Sequence, residues 1–375
     1  MAGLLRGLLP PWAPLRQAAP GIAVAVALAL VARAIAAALA HGAVGLPKLP
    51  LSPVMCAVVL GMLWRNTLGV PAWATNGLKW AMHQLLRTGI ALVGLRLTLA
   101  GAGSIALTAL PVALSCLTVA LLAGWGLSRA FGVGPRLGAL LAIGTAVCGC
   151  TAVVAISPVI RARHAETAFA VTCVVLFGCA AMLCYPWLAG HFFSSSPVHA
   201  GIFLGTAIHD TSQVIGAGLI YSQQAHAPAA LAAASVAKLL RNLSIAALVP
   251  LAAWVVHAQE ARGGDPGGEV AHAGLAPHAQ LVPTFVLAFL AFIVMRTAGD
   301  TLLGGANALW QALVNTGYTA SDLFLTCGMT AVGLSVSFTD MWRIGWRPLA
   351  AGFVVATLVG AASLTLTLAL LRLAH

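Results

Sequence analysis

A dense polar patch lies inside an apolar stretch of the chain, between residues 199 and 221. His209 and Asp210 are adjacent there, Thr206 stands four residues before Asp210, and Gln213 stands three residues after it. Residues at i, i+4 and i+7 share one face of a helix, so this spacing predicts a polar stripe. Ionisable groups are costly among apolar helices and are kept mainly where they bind ions, protons or substrates. The patch is therefore the strongest candidate for chemistry.

Asp210 is the candidate to carry a coupling ion. It is the one carboxylate that the sequence places away from polar connections and predicted helix ends. Histidine side chains change charge near neutral pH, which suits His209 to proton transfer. We predict that Asp210 and His209 bind the coupling ion, and that Thr206, His209 and Gln213 contact a solute. The alternative is structural, with Asp210 capping a broken helix.

Two cations lie in a second apolar run, which continues to residue 256. Lys238 and Arg241 share a helical face with Ser235 and Asn242. A buried charge needs a partner, and two cations suit an anionic solute or the Asp210 carboxylate. We predict that Lys238 and Arg241 bind an anion. The alternative is that both side chains snorkel to the membrane interface.

Two short segments, Gly-Thr-Ala-Val at 144–147 and Gly-Thr-Ala-Ile at 205–208, are alike and predict two breaks in helices. Free backbone amides at such breaks attract anions. Thr145, Cys148 and Gly149 therefore join the predicted solute contacts. Arginines stand on both sides of the first segment, which favours a re-entrant hairpin by the positive-inside rule. A broken spanning helix is the alternative.

Three further residues carry weaker signals. Cys148 and Cys150 form a Cys-x-Cys pair that, with His209 as a base, would suit a thiol-redox protein or an intramembrane enzyme. No second Cys-x-x-Cys or His-x-x-x-His pair accompanies them, so we predict no metal and no cofactor. Arg96 lies in a short apolar segment. It is predicted to contact an oxyanion, with interfacial anchoring as the alternative.

The composition shows which elements must hold these residues. The chain has 375 residues, of which 61% are hydrophobic and 7% charged, whereas about a quarter of a soluble protein is charged. A spanning helix needs about 20 apolar residues, so the length accommodates about ten or eleven of them. The net charge of +11 comes from scattered Lys and Arg, with no basic run typical of nucleic-acid binding. The composition therefore predicts an all-α polytopic membrane protein and excludes a soluble enzyme.

Apolar runs predict a single membrane domain over residues 1–375, with one polar connection at about 259–280. An internal repeat relates residues 89–99 to residues 328–338, because Gly89 aligns with Gly328 and Gly94 with Gly333 without gaps. The two segments fall on the third and tenth predicted helices, which predicts an inverted repeat. The predicted helices are 21–40, 51–64, 85–100, 104–128, 137–157, 165–189, 199–221, 229–257, 281–297, 321–338 and 348–372.

Several of these motifs together resemble the YeiH-type family of bacterial inner-membrane proteins, which are labelled sulfate exporters. The resemblance covers nearly the whole chain. The residues that carry it are Gly61-Met62 with Asn66, Leu85 to Gly89, Gly94 to Thr98, Cys148-Gly149 with Pro158-Val159, His209-Asp210 with Gln213-Val214, Lys238 to Arg241, and Ala331 to Leu334.

The resemblance implies inverted repeats with helices broken at membrane depth, similar to bile-acid symporters and sodium/proton antiporters. It also implies a small anion as substrate, with sulfite or a sulfonate-related anion as plausible as sulfate. His209-Asp210 stands where the family commonly has His-Glu, which keeps the carboxylate. Cys150 and Ser157 depart from the family pattern and are given no role.

These observations predict a secondary transporter in the bacterial inner membrane that moves a small anion, coupled to H⁺ or Na⁺, by alternating access. No phosphate-binding loop or Rossmann glycine motif is present, so we expect neither ATP coupling nor an enzyme. Small-residue faces permit a homodimer in the bilayer. The alternatives are the thiol-redox protein or enzyme and a passive anion channel.

Overall fold

A computed structural model describes residues 13–40, 51–244, 284–337 and 346–373, and the single positions 248 and 339. Fourteen α-helices form the regular structure of these residues, with no strand among them. The predicted fold class, an all-α polytopic membrane protein, is confirmed. The polar connection predicted at 259–280 lies outside the described residues.

From α2 to α11 the described helices follow one another with short connections. The first seven are α1 (Ala13–Ala40), α2 (Pro53–Thr67), α3 (Ala72–Trp80), α4 (Leu86–Val93), α5 (Leu99–Ala130), α6 (Pro135–Ala146) and α7 (Cys150–Ile156). The others are α8 (His164–Phe192), α9 (Pro197–Ala207), α10 (Thr211–Gln224), α11 (Pro228–Leu243), α12 (Thr284–Leu302), α13 (Ala308–Ser335) and α14 (Trp346–Leu373). A π-helical turn, Ala81–Leu85, joins α3 to α4, and a 3₁₀ turn, Gly94–Arg96, follows α4.

Helix starts follow local chemistry. Helices α2, α6, α9 and α11 begin with proline at the first turn, where its missing N–H removes no helical hydrogen bond. Ser52 caps α2 by accepting the Met55 N–H at 3.1 Å. Five of the described helices, α1, α5, α8, α12 and α14, are long and apolar enough to cross a membrane. The remaining described helices are shorter, interrupted or more polar.

The predicted helix at 321–338 differs most from the structure. Helix α13 begins at Ala308, thirteen residues earlier, and is capped by Asn307, which accepts the Leu309 N–H at 3.0 Å. The polar residues of its first half resemble a loop in the sequence. The extension places Asp322 in the middle of a helix, so the prediction that only Asp210 lies away from helix ends is wrong.

Glycines allow α2 and α13 to approach closely. A Cβ on Gly61 would lie 2.6 Å from the carbonyl oxygen of Thr330, and a Cβ on Gly333 would collide with the carbonyl oxygen of Val58. Such small-residue contacts replace the hydrophobic driving force that is absent between helices in lipid. The two backbones therefore pack directly against each other.

Gly333→Ala is expected to destabilise the protein by about 1–3 kcal/mol, because the new methyl group overpacks the α2–α13 contact. The measurement is thermal unfolding of the purified protein in detergent, followed by tryptophan fluorescence. Gly103→Ala is the matched control, because a Cβ at Gly103 of α5 meets nothing within 4 Å. Equal melting temperatures for the two variants would contradict the close approach.

The repeated glycine segments pack on each other reciprocally. A Cβ on Gly89 would lie 2.8 Å from the Leu325 side chain, and a Cβ on Gly328 would lie 3.0 Å from the Leu86 side chain. Each leucine stands three residues before the glycine of its own segment. The same contact therefore occurs twice with the segments exchanged, as expected for a local two-fold relation. This packing supports the repeat, and its inverted orientation in a membrane stays a prediction.

Candidate functional site at two helix breaks

Both predicted helix breaks exist. The first separates α6 from α7 at residues 147–149, where Gly149 has φ 68° and ψ −123°. This conformation is open to glycine and strained for other residues. The second break separates α9 from α10 at residues 208–210, where Ile208 and Asp210 are extended. The backbone is thus unwound at two places inside the bundle.

The first break folds the chain back on itself. A Cβ on Gly144 of α6 would lie 2.7 Å from a methyl carbon of Val153 on α7. In a straight helix, residues nine apart are separated by about 13.5 Å along the axis. Helix α7 therefore turns back toward α6, which favours the hairpin over a straight, interrupted span.

The two breaks touch each other. A Cβ on Gly149 would lie 2.8 Å from Oδ2 of Asp210 and 3.0 Å from its Cα. Glycine is thus required at position 149 for its positive φ and for the approach of Asp210. We call the contact between residues 147–149 and 208–210 the junction.

Lys238 on α11 binds both sides of the junction. Its Nζ donates to the carbonyl oxygens of Val147 at 2.8 Å, of Ile208 at 3.1 Å, and of His209. The side chain is fully buried, and three carbonyls match the three N–H groups of an ammonium. Snorkelling to the membrane interface does not describe this lysine.

Arg241, one turn later on α11, binds the C-terminal ends of α6 and α9. Its Nε donates to the Ala146 carbonyl at 3.0 Å, and one terminal nitrogen donates to the Thr145 carbonyl at 2.6 Å. The other terminal nitrogen donates to the carbonyls of Thr206 and, at 3.4 Å, of Ile208. A further bond from the Thr145-binding nitrogen reaches the Ala146 carbonyl at 2.7 Å. The last carbonyls of a helix lack helical partners and carry its negative partial charge. Arg241 therefore neutralises two helix ends at once.

The donors of both cations are engaged by backbone in this conformation. Three bonds occupy Lys238 and five occupy Arg241, whose exposed fraction is 2%. Sequence reasoning assigned both to direct anion binding, which stays a prediction. In the structure both side chains bind backbone carbonyls instead. A solute could hydrogen-bond to them only if a carbonyl moved away, and would otherwise interact with their charge alone.

Asp210 lies at the junction and is partly exposed. Its Oδ1 accepts the Ser212 N–H at 2.9 Å and also the Ser212 hydroxyl, so it caps α10. The Cys150 thiol lies within hydrogen-bonding reach of the same carboxylate. His209 is 2% exposed, and neither of its ring nitrogens has a hydrogen-bond partner. A residue with an unpaired imidazole and one with a carboxylate are thus neighbours in the chain at the junction.

The single polar stripe predicted for residues 206–213 is wrong, because the helix ends at Ala207 and restarts at Thr211. The Thr206 hydroxyl lies 2.7 Å from that of Ser363 on α14. The Gln213 amide donates to the carbonyl of Val175 on α8 at 3.1 Å. The two side chains therefore bind neighbouring helices on different sides, and the structure does not bring them together with Asp210.

Of the remaining residues predicted to contact a solute, some lie at the junction and one lies outside it. Thr145 and Cys148 are buried beside the first break, and Cys150 is partly exposed. Within the described part of the chain, every cysteine is free and no cluster suited to a metal ion occurs. Arg96 lies elsewhere and pairs with Asp322 at 2.7 Å. The sequence analysis did not predict this pair. The helical spacing of the polar residues over 311–322 is the signal that places Asp322 within a helix.

The fold and the junction define a multi-pass α-helical membrane protein in which two interrupted helices meet at a carboxylate. The chain belongs to the family described as Conserved hypothetical protein 698, which it matches over residues 20–352. It is 33% identical to a UPF0324 membrane protein of Ralstonia nicotianae, over 80% of this chain and 81% of the relative. A UPF0324 membrane protein of Nitratidesulfovibrio vulgaris is 31% identical, over 94% and 93%. No solved structure matches the chain.

Proposed function

We propose that the protein is a secondary active transporter that moves a small anion across the bacterial inner membrane by alternating access, coupled to H⁺ or Na⁺. The observation that carries the proposal is the junction, where two unwound segments meet inside a membrane bundle at the partly exposed Asp210. Transporters place substrate and coupling-ion sites at such interruptions, because unwound backbone supplies free polar groups. The resemblance to YeiH-type proteins points the same way and suggests an oxyanion such as sulfate or sulfite.

Charge favours an anion as the solute. The junction holds two buried cations, Lys238 and Arg241, against one partly exposed carboxylate, Asp210. The formal count leaves one excess positive charge, which favours an anion, although the same cations also offset the negative ends of α6 and α9 and backbone carbonyls occupy their donors. The unpaired ring nitrogens of His209 offer a donor to an oxyanion. Asp210 is the group that exchanges the coupling ion.

The test is solute flux in proteoliposomes that contain the full chain. Sulfate, sulfite, thiosulfate and small organic anions are loaded in turn, with imposed proton or sodium gradients. We expect saturable flux and counterflow of one anion that follows one gradient. Flux without saturation or gradient dependence would indicate a channel. Absence of flux for every anion under every gradient would contradict the proposal.

The double variant Cys148→Ser/Cys150→Ser is expected to retain at least about half of the transport rate, because serine keeps the size and a hydrogen-bonding group at both positions. The measurement is initial flux of the anion identified in the panel. Loss of flux, together with oxidation-dependent activity of the parent protein, would instead support the thiol-redox alternative. Cys184→Ser is the control, because Cys184 is exposed and lies on α8.

A further inference from the structure

A second charged site lies outside the junction. Asp322 stands near the midpoint of α13, whose 28 residues extend for about 42 Å, more than the thickness of a hydrocarbon core. Arg96 donates to its carboxylate at 2.7 Å, and Arg33 on α1 is near enough to interact with it electrostatically. The Arg96 side chain is 9% exposed, whereas that of Asp322 is 38% exposed. An ionisable pair at this depth points to function.

A polar stripe leads along α13 toward this pair. Residues at i, i+4, i+7, i+8 and i+11 lie on one side of a helix, and in α13 all five are polar. They are Gln311, Asn315, Tyr318, Thr319 and Asp322, each of them exposed or partly exposed.

The other faces of the same helix differ from the stripe. Leu309 and Leu313 are 84% and 54% exposed on a separate face, as expected for contact with lipid. Trp310 and Val314 are buried against the bundle. Only the polar face is unsuited both to lipid and to the core, so it requires water, ions or another polar surface.

A chain of hydrogen bonds connects the stripe to α12. Arg296 donates to the Tyr318 hydroxyl at 2.9 Å and to Asp300 at 2.8 Å, and the Tyr318 hydroxyl donates to the Leu95 carbonyl at 3.2 Å. The Arg96 guanidinium lies over the Tyr318 ring, 5.0 Å from its centroid. Polar groups therefore continue without interruption from the exposed stripe to Arg96.

Arg96 retains a free donor. Its Nε is buried and has no hydrogen-bond partner, although one terminal nitrogen binds Asp322. With Arg33, Arg96 and Arg296 against Asp300 and Asp322, this region carries one net positive charge. An additional acceptor with negative charge would satisfy both the free N–H and the charge.

We propose that the stripe lines a water-filled path by which a small hydrated oxyanion reaches Arg96, with Asp322 as the counter-ion that the anion displaces. The amide and hydroxyl groups of the stripe solvate the anion along the way. The choice of an anion rests on the proposed transport function, whereas the water-filled path rests on exposure and polarity alone.

Water in the path is tested by cysteine labelling of the full chain in membrane vesicles. Asn315→Cys and Thr319→Cys are expected to react at least about tenfold faster with a membrane-impermeant maleimide than Leu313→Cys, because only a hydrated thiol forms the reactive thiolate. The parent protein, with its native cysteines, gives the background rate. Leu313 on the lipid-facing side is the matched control, about 3 Å from Asn315 and about 9 Å from Thr319 along the helix axis.

Two results would overturn the path. One is equally slow labelling at all three positions, which would place the stripe in lipid. The other is formation of a disulfide-linked homodimer by Asn315→Cys, which would show that a second copy of the chain covers the stripe. Neither result depends on measured transport, so failure of the path and failure of the proposed function are distinguishable.

The anion is tested by protection. Sulfate is expected to slow labelling of Thr319→Cys relative to potassium gluconate at equal ionic strength. Adding Asp322→Asn removes the competing carboxylate and is expected to lower the protecting concentration about tenfold. Adding Asp322→Glu, which keeps the charge, should leave the protecting sulfate concentration as it is in Thr319→Cys alone. Fast labelling that sulfate does not slow would overturn anion access to Arg96.

Discussion

Asp210→Asn is expected to reduce gradient-driven flux by about a hundredfold, equivalent to about 2.7 kcal/mol in the transport barrier, while the protein remains folded. Asparagine caps helices as well as aspartate does, so α10 keeps its N-cap and the backbone of the junction is preserved. What is lost is the charge that, in the proposed function, binds and releases the coupling ion. The measurement is initial flux in proteoliposomes, with gel filtration as the test of folding.

Asp210→Glu separates charge from shape. Glutamate keeps the carboxylate but adds a methylene group where Cβ of Asp210 already lies 3.0 Å from the position of a Cβ at Gly149. We expect reduced flux that still follows the gradient. Glu166→Gln is the control, because Glu166 binds Arg163 at the start of α8, away from the junction. Unchanged, gradient-driven flux in Asp210→Asn would leave Asp210 with the capping role alone.

Hydropathy was sufficient to predict most of the helices, because a membrane span must be apolar over most of its length. It failed where a helix presents polar residues on one face, as in the first half of α13. Gln311 and Asn315 lower the mean hydropathy there and resemble a connection, although they repeat with helical spacing. Periodicity rather than average hydropathy indicates that segment correctly.

The two breaks were predictable from their Gly-Thr segments, but the contacts made there were not. Spacing rules assume a continuous helix, so they grouped Thr206 with Gln213 although the chain is extended between them. The approach of Asp210 to Gly149 joins positions 61 residues apart and follows from packing. The sequence thus predicted the two breaks and grouped several of the nearby side chains with the wrong neighbours.

Backbone carbonyls are invisible to motif analysis, and they decide the contacts of Lys238 and Arg241. The sequence showed two cations in an apolar run, for which an anionic solute, a carboxylate and the membrane interface were the evident partners. The unwound helix ends supply a fourth kind of partner that carries no side-chain signature. Where a helix is interrupted, some backbone carbonyls lose their helical hydrogen-bond donors, and lipid cannot replace them. An interrupted helix inside a membrane therefore requires other donors nearby.

Arg241→Leu is therefore expected to be the most destabilising of the substitutions considered, by about 3–5 kcal/mol, because it leaves the carbonyl ends of α6 and α9 unpaired in a dry site. We expect low yield of monodisperse protein and a lower melting temperature in detergent. Arg241→Lys keeps the charge but has three donors in place of five, so its stability should be intermediate.

The control for Arg241→Leu is Arg136→Gln, because Arg136 is exposed at the start of α6 and should melt like the parent. A folded Arg241→Leu protein that melts like the parent and loses only flux would restore direct solute binding as the function of Arg241. Destabilisation that Arg241→Lys partly reverses would show instead that the cation holds the junction together. In that case the anion of the proposed function would need donors among groups that the backbone leaves free, of which His209 is the nearest to Asp210 in the chain.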